Sequence, residues 1–258
     1  MRKSYSSFIL LIVAFTLLRC SGDSGTEPQP DPGDIKILFI GSSFTYHYDT
    51  PGLFRQLAEA AGKNVFVVDK CIGDASLTYH SMYGPTIEAI YVQQWDYVIL
   101  ENCDYNIVSP DTYFDERPVN VLGSFILDNN PDTKIILFLI WSRSCGYDEY
   151  SFDELSEMLR DGTKTVADRH DMLIAPVGWA WKRTVDENPY IYMYQWDGMH
   201  PSLAGAYLQA CVYFSTIFTE SCEGNSFSAG LPVEHTSYLQ QVASETVLDD
   251  LEYWNLTD

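Results

Sequence analysis

The sequence predicts an α/β protein in three layers, a mostly parallel five-stranded sheet sandwiched between helices. Three observations carry this. Five apolar runs, "IKILFI" from Ile35, "NVFVV" from Asn64, "DYVIL" from Asp96, "KIILFLI" from Lys134 and a shorter "DMLIAP" from Asp171, lack the alternation of a half-wet sheet. Strands of that kind are covered on both faces. Segments of helical character separate them, the βαβ rhythm that parallel strands need for their crossovers. Finally, the chain has 258 residues, 46% of them hydrophobic, with neither internal repeat nor second-domain break, which is enough for one large core.

In chain order, residues 1–19 come first. Arg2 and Lys3 precede an apolar run from Phe8 to Leu18 that is about half as long as a bilayer requires, so it reads as an export signal rather than a spanning helix. The run closes on Cys20, although Arg19 stands where a small residue usually precedes such a cysteine. Residues 20–34, "CSGDSGTEPQPDPGD", are rich in Pro, Gly and acid, the composition of a disordered tether. The domain proper is expected over residues 35–258.

Within it, "PGLFRQLAEAAG" opens on Pro51 and closes on Gly62, as helices do. "SFDELSEMLRDGTKTVADR" carries acids early and bases late, matching the helix dipole. "PSLAGAYLQACVYFSTIF" starts with Pro201 and is apolar nearly all round, so it should be buried, and residues 232–254 read as a final, more polar helix.

A formal charge of −21 disfavours nucleic acid and anionic membrane surfaces as partners. Apart from Cys20, the cysteines are Cys71, Cys103, Cys145, Cys211 and Cys222, an odd number with no CxxC pair, so no metal framework is visible and at least one thiol stays unpaired.

The first strand ends in "IGSSFTYHY", with Gly41, Ser42 and Ser43 at its carboxyl end, where open α/β sheets bind ligands. No GK[ST] follows, so it is not a phosphate loop, and GxGxxG is missing. Thr45 stands where the elbow GxSxG needs its second glycine. By itself the stretch is equally a strand-to-helix turn with a capping serine. A second motif, "WDGMHPS", sets Asp197 three residues before His200. A serine is a poor nucleophile until a base takes its proton, and that base needs an acid to fix its tautomer; Asp-x-x-His supplies both on one turn. The same two residues are also candidate metal ligands, but no HExxH or second Asp/His pair completes a shell. His47, His80, His170 and His235 have no aspartate at that spacing and are expected on the surface or satisfied in the core.

Gly-x-Ser on the first strand together with Asp-x-x-His near the C-terminus resembles the SGNH, or GDSL-type, hydrolases, over roughly residues 35–222. The resemblance implies their flavodoxin-like fold. It further implies Ser43 as nucleophile, Asp197 and His200 as acid and base, and an oxyanion hole from the N–H groups of Ser43 and of Gly73 in "CIGDAS". The family's Gly-x-Asn-Asp after the third strand appears here as "ENCDYN", which puts Cys103 at the asparagine in strict register. Asn102 is the expected side-chain oxyanion donor, with Asn106 behind it.

The run ending in Cys20 resembles the signal of a bacterial lipoprotein, lipidated on that cysteine. Acidic residues behind it resemble surface-export signals of some Gram-negative lipoproteins, implying the outer membrane or cell surface. The expected activity is hydrolysis of small acyl esters, acetyl above all, on a carbohydrate, with no cofactor and no metal, and with membrane contact through the lipid anchor alone. Trp95, Trp141, Trp179, Trp181 and Trp196 are candidate stacking faces for sugars. Two alternatives are a non-catalytic glycan-binding protein on the same fold and a lipase for longer acyl chains. Oligomeric state is left open.

Overall fold

The computed structural model describes residues 29–102 and 116–257. Cys20, the whole expected leader and most of the tether lie outside the described residues, as do Cys103 and Asn106. No described helix is long and apolar enough to cross a membrane.

Five parallel strands form one sheet: β1 Ile35–Gly41, β2 Val65–Cys71, β3 Tyr97–Leu100, β4 Lys134–Phe138 and β5 Leu173–Ala175, in the order β2-β1-β3-β4-β5. The register pairs Ile37 with both Val67 and Tyr97, Tyr97 with Lys134 and Ile136 with Leu173. Ile37, Leu38, Phe39 and Ile40 are buried without alternation, which is what the apolar runs require of strands covered on both faces. β2, at the edge, is half-buried along most of its length. The strand order reverses at β1, so the loops leaving β1 and β3 diverge there and open a crevice at their carboxyl ends.

The helices are α1 Ser43–Tyr46, α2 Thr50–Ala60, α3 Leu77–His80, α4 Gly84–Tyr91, α5 Glu116–Asn129, α6 Phe152–His170, α7 Val177–Glu187, α8 Leu203–Phe218 and α9 Val233–Leu248. α8 packs on α2, α7 and α9, while α5 packs on α3 and α4. The three-layer α/β expectation therefore holds.

Three boundaries differ from the sequence reading, each for a local reason. α2 is capped by Asp49, in left-handed backbone with φ 54°, whose carboxylate accepts from the Gly52 N–H, so Pro51 lies inside the first turn. α8 is opened by Ser202, whose hydroxyl accepts from Gly205 N–H, and Pro201 instead pairs with Tyr194 in an isolated bridge. α9 stops at Leu248, because the chain turns there to send the carbonyl of buried Trp254 to the Ile174 N–H, closing over β5. α6 begins on a full capping box between Ser151 and Glu154. Cys71, Cys145, Cys211 and Cys222 are free thiols.

Candidate active site

β1 delivers the first component. Its last residue is Gly41; Ser42, with extended backbone, caps α1, and its hydroxyl accepts from the Phe44 N–H. Ser43 thus becomes the first helical residue, its Oγ 2.9 Å from His200 Nε2. The segment between α7 and α8 brings the partner across a separation of 157 residues. It is pinned by Gln195 N–H to the His200 carbonyl, by Ser202 N–H to the Met193 carbonyl and by the Trp141 indole N–H to the Met199 carbonyl. Gly198, at φ +66°, makes the turn; its carbonyl accepts from Ser144 N–H, and a Cβ there would sit 2.3 Å from Ser144 Oγ.

Asp197 Oδ2 lies 2.6 Å from His200 Nδ1, and its Oδ1 accepts from the N–H groups of Met199 and His200. Facing an ionised carboxylate, Nδ1 carries the imidazole proton, so Nε2 of the neutral ring offers its lone pair to the Ser43 hydroxyl. Burial pushes the Asp197 carboxyl up, but the hydrogen bonds from the His200 ring and those two backbone groups outweigh it and hold the group below the usual carboxylate range. The His200 ring stacks on Phe44, 5.4 Å between centroids. Among the described residues no group of three or more His, Cys, Asp and Glu side chains is arranged to hold a metal ion.

A scan of known protein-family models finds no match to this sequence, nor does a search of curated proteins. Solved structures do match. A DUF4886 family protein from Bacteroides uniformis superposes with a TM-score of 0.73 at 20% identity, covering 83% of this chain and 95% of that one. A protein from Slackia heliotrinireducens described as an SGNH hydrolase gives 0.59 at 24% identity, over 71% and 99%. Axe2, an acetylxylan esterase from Geobacillus stearothermophilus, gives 0.53 at 20% identity, over 70% and 94%. The fold is that of the SGNH hydrolases.

In the SGNH fold of this chain, Gly73 lies in the turn after β2, next to Ile72, whose N–H bonds the Gly41 carbonyl at 2.9 Å. The turn holding one expected oxyanion donor is thereby tied to the turn holding the other. Neither the Ser43 nor the Gly73 N–H has a partner among the described residues. Asn102 is half-buried just beyond β3, at the same end of the sheet. The structure thus brings Ser43, His200 and Asp197 into contact and sets Gly73 and Asn102 on the neighbouring strand ends.

Three residues that the sequence reading gave no site role belong to these surroundings. Glu101 is one, treated below. His47 is another: its ring lies 4.6 Å from that of His200. Gln195 Nε2 donates both to the Pro201 carbonyl and to His47 Nδ1, which leaves the His47 proton on Nε2. Burial, and then the neighbouring His200, hold His47 below the usual histidine range against the pull of Asp197. His80 is the third. Fully buried, it donates from Nε2 to the Gly41 carbonyl at 2.9 Å and accepts from the Thr86 hydroxyl at Nδ1. Of the two places expected for it, the surface or a satisfied core, His80 takes the core, but what it satisfies is the end of the nucleophile strand.

Burial lowers the affinity of His80 for a proton, with the Gly41 carbonyl pulling the other way. The unfolded chain, whose histidines titrate near 6.5, takes up that proton first as pH falls. The stability His80 contributes is therefore complete above about pH 6.5 and is lost on acidification below it. The melting temperature is expected to fall between pH 7 and pH 5, and by less in His80→Gln. Equal losses in the two proteins would refute this.

Of the five tryptophans offered as sugar platforms, Trp95, Trp141 and Trp181 are fully buried, the last two stacked at 4.0 Å, and Trp179 lies under Arg160. That expectation is corrected for Trp95, Trp141 and Trp181, whose faces the core occupies; Trp179 is half-buried, with one face taken by the Arg160 guanidinium. Trp196, directly before Asp197, is 97% exposed, and Tyr190 and Tyr192 on the same segment are 84% and 82% exposed.

Proposed function

We propose that this chain is a serine ester hydrolase acting on small acyl groups, acetyl foremost, carried by a carbohydrate. The observation that carries the reading is the continuous relay from Asp197 through His200 to Ser43, with contacts of 2.6 and 2.9 Å.

In the proposed reaction Ser43 Oγ attacks the ester carbonyl carbon while His200 Nε2 takes its proton, and Asp197 stabilises the imidazolium that results. The carbonyl oxygen, now negative, receives the N–H groups of Ser43 and Gly73, an arrangement in which each donor is typically worth about 10²–10³ in rate. Collapse expels the alcohol, which leaves with the proton from His200. Water then attacks the acyl-serine with His200 again as base, releasing the carboxylic acid and restoring Ser43. The direct test is hydrolysis of an aryl acetate together with loss of acetyl from acetylated oligosaccharides, followed by mass spectrometry. Absence of both, with a properly folded protein, would reject the reading.

The carbohydrate half of the proposal is supported by Trp196. With exposed Tyr190 and Tyr192 on the same segment it offers aromatic faces near His200 that the C–H face of a sugar would cover. Trp196→Ala is expected to raise KM for an acetylated oligosaccharide by about tenfold, ~1.4 kcal/mol, while leaving an aryl acetate unaffected. A rate that instead climbs with acyl chain length, and falls in the same variant, would mark a lipid substrate.

A further inference from the structure

β3 is apolar to its last residue, and the next residue is Glu101, a carboxylic acid with no exposed surface. Its backbone continues the ladder, N–H to the Ile40 carbonyl, so the side chain is fixed relative to β1. Burying a carboxylate among apolar strands is costly unless donors surround it. Among the described residues, the donors to the Glu101 carboxyl all come from the nucleophile turn: Ser42 N–H at 2.6 Å and the Thr45 hydroxyl at 2.9 Å on Oε2, and the Ser42 hydroxyl at 2.8 Å on Oε1. Burial pushes this carboxyl up, and the bonds from Ser42 and Thr45 draw it back.

Packing alone does not call for such a group. The Ser42 N–H lies just past the end of β1 and so lacks a ladder partner, a buried orphan that an apolar residue at 101 would leave unsatisfied. Glu101 takes that donor and at the same time holds both ends of the first turn of α1 through Ser42 and Thr45. From the other side His80 Nε2–H and Ile72 N–H grip the Gly41 carbonyl, each at 2.9 Å. Residues 41 and 42 are therefore clamped by buried polar groups on two sides. Gly41 is part of the same device: a Cβ there would stand 2.6 Å from Glu101 Oε2, 3.0 Å from Glu101 Cβ and 3.1 Å from Thr45 Oγ1. The glycine that ends the strand makes room for the acid that holds the turn.

We propose that Glu101 is a positioning residue, whose carboxyl group sets the turn that aims Ser43 Oγ at His200 and the Ser43 N–H at the reacting carbonyl oxygen, without touching substrate. The proposal rests on the esterase reading for its kinetic consequence and on the turn geometry for the rest. A misplacement of about 1 Å in a reacting group costs roughly 10²-fold. Glu101→Gln keeps the side-chain length, an oxygen for the Ser42 N–H and Thr45 hydroxyl, and an amide for the Ser42 hydroxyl. Glu101→Asp keeps the carboxyl group but withdraws its oxygens from the turn.

The test measures kcat, KM and thermal unfolding for wild type, Glu101→Gln, Glu101→Asp and Glu101→Ala on an aryl acetate, with amide hydrogen exchange over residues 40–46. Positioning predicts that Glu101→Gln stays within about tenfold of wild-type kcat. Glu101→Asp and folded Glu101→Ala should lose about 10²-fold in kcat, with KM within about threefold and faster exchange at Ser42 and Ser43. Should Glu101→Ala not fold, the order of Gln above Asp decides. The proposal is overturned if Glu101→Asp keeps wild-type kcat, if Gln is as impaired as Asp, or if lost rate merely tracks lost folded protein. Wild type inert toward every ester would sink the esterase reading alone. Exchange would then judge Glu101, and equal protection in wild type and Glu101→Asp would overturn it.

Discussion

Ser43→Ala is expected to lower kcat on an aryl acetate by about 10⁴ or more and to leave the fold and melting temperature nearly unchanged, because nucleophile and base act as a unit and removing either stops the covalent route. The adjacent serine provides the control. Ser42 Oγ is buried, donating to Glu101 and accepting from Phe44 N–H, so it faces the core rather than the crevice. Ser42→Ala should cost about 1–3 kcal/mol of stability, the range for leaving a buried hydrogen-bond partner unsatisfied. It should cost far less rate than Ser43→Ala, through a loosened turn. The bond to a buried carboxyl makes the stability loss larger than that of a single local cap. A fluorophosphonate should label Ser43, and His200→Ala should suppress that labelling. An adduct mapped to Ser42, or substantial activity left in Ser43→Ala, would overturn the proposed nucleophile.

What the sequence disclosed and what it withheld divide along the range of the interactions. Strand identity is local: a run such as "IKILFI" is legible because burial on both faces removes alternation, and β1 occupies that run. Asp197 and His200 are legible because three residues separate them, and one turn suffices to bring the ring to the carboxylate. Glu101 is different. Its meaning depends on a turn 59 residues earlier, and the sequence signal is only an acid closing an apolar strand, which equally marks an exposed strand end. His47 likewise gains its place from Gln195, 148 residues away. The tryptophans fail for a related reason. Residue type gives no face, and the core absorbed Trp95 between α4 and β2, and Trp141 and Trp181 stacked on each other near α8, because an indole is a large apolar group that fills such space. Trp196 escapes because the tight turn at Gly198, held from both sides, leaves the residue before Asp197 outside.

The same geometry makes Asp197→Asn the second large effect, and it can be derived atom by atom. Asp197 uses Oδ1 for two backbone N–H groups and Oδ2 for His200 Nδ1. An asparagine here must keep its single oxygen toward Met199 and His200, since an amide NH₂ facing two N–H donors would leave all of them unsatisfied. The NH₂ then faces Nδ1 and donates to it. That bond fixes the imidazole proton on Nε2, the nitrogen facing Ser43 Oγ, where an N–H now stands in place of the lone pair that should take the serine proton. The backbone bonds of the turn survive, so the fold should too, and KM should change little because substrate does not contact Asp197 in the proposed reaction. kcat near neutral pH is expected to fall by about 10⁴, the scale set by a wrong tautomer in such relays. Asp197→Ala should be as slow and also less stable, having lost the acceptor for both N–H groups. Kinetics and thermal unfolding of the two variants side by side make the comparison. Asp197→Asn retaining more than about a tenth of the wild-type rate would mean that His200 is not the base, and the relay would lose its proposed role.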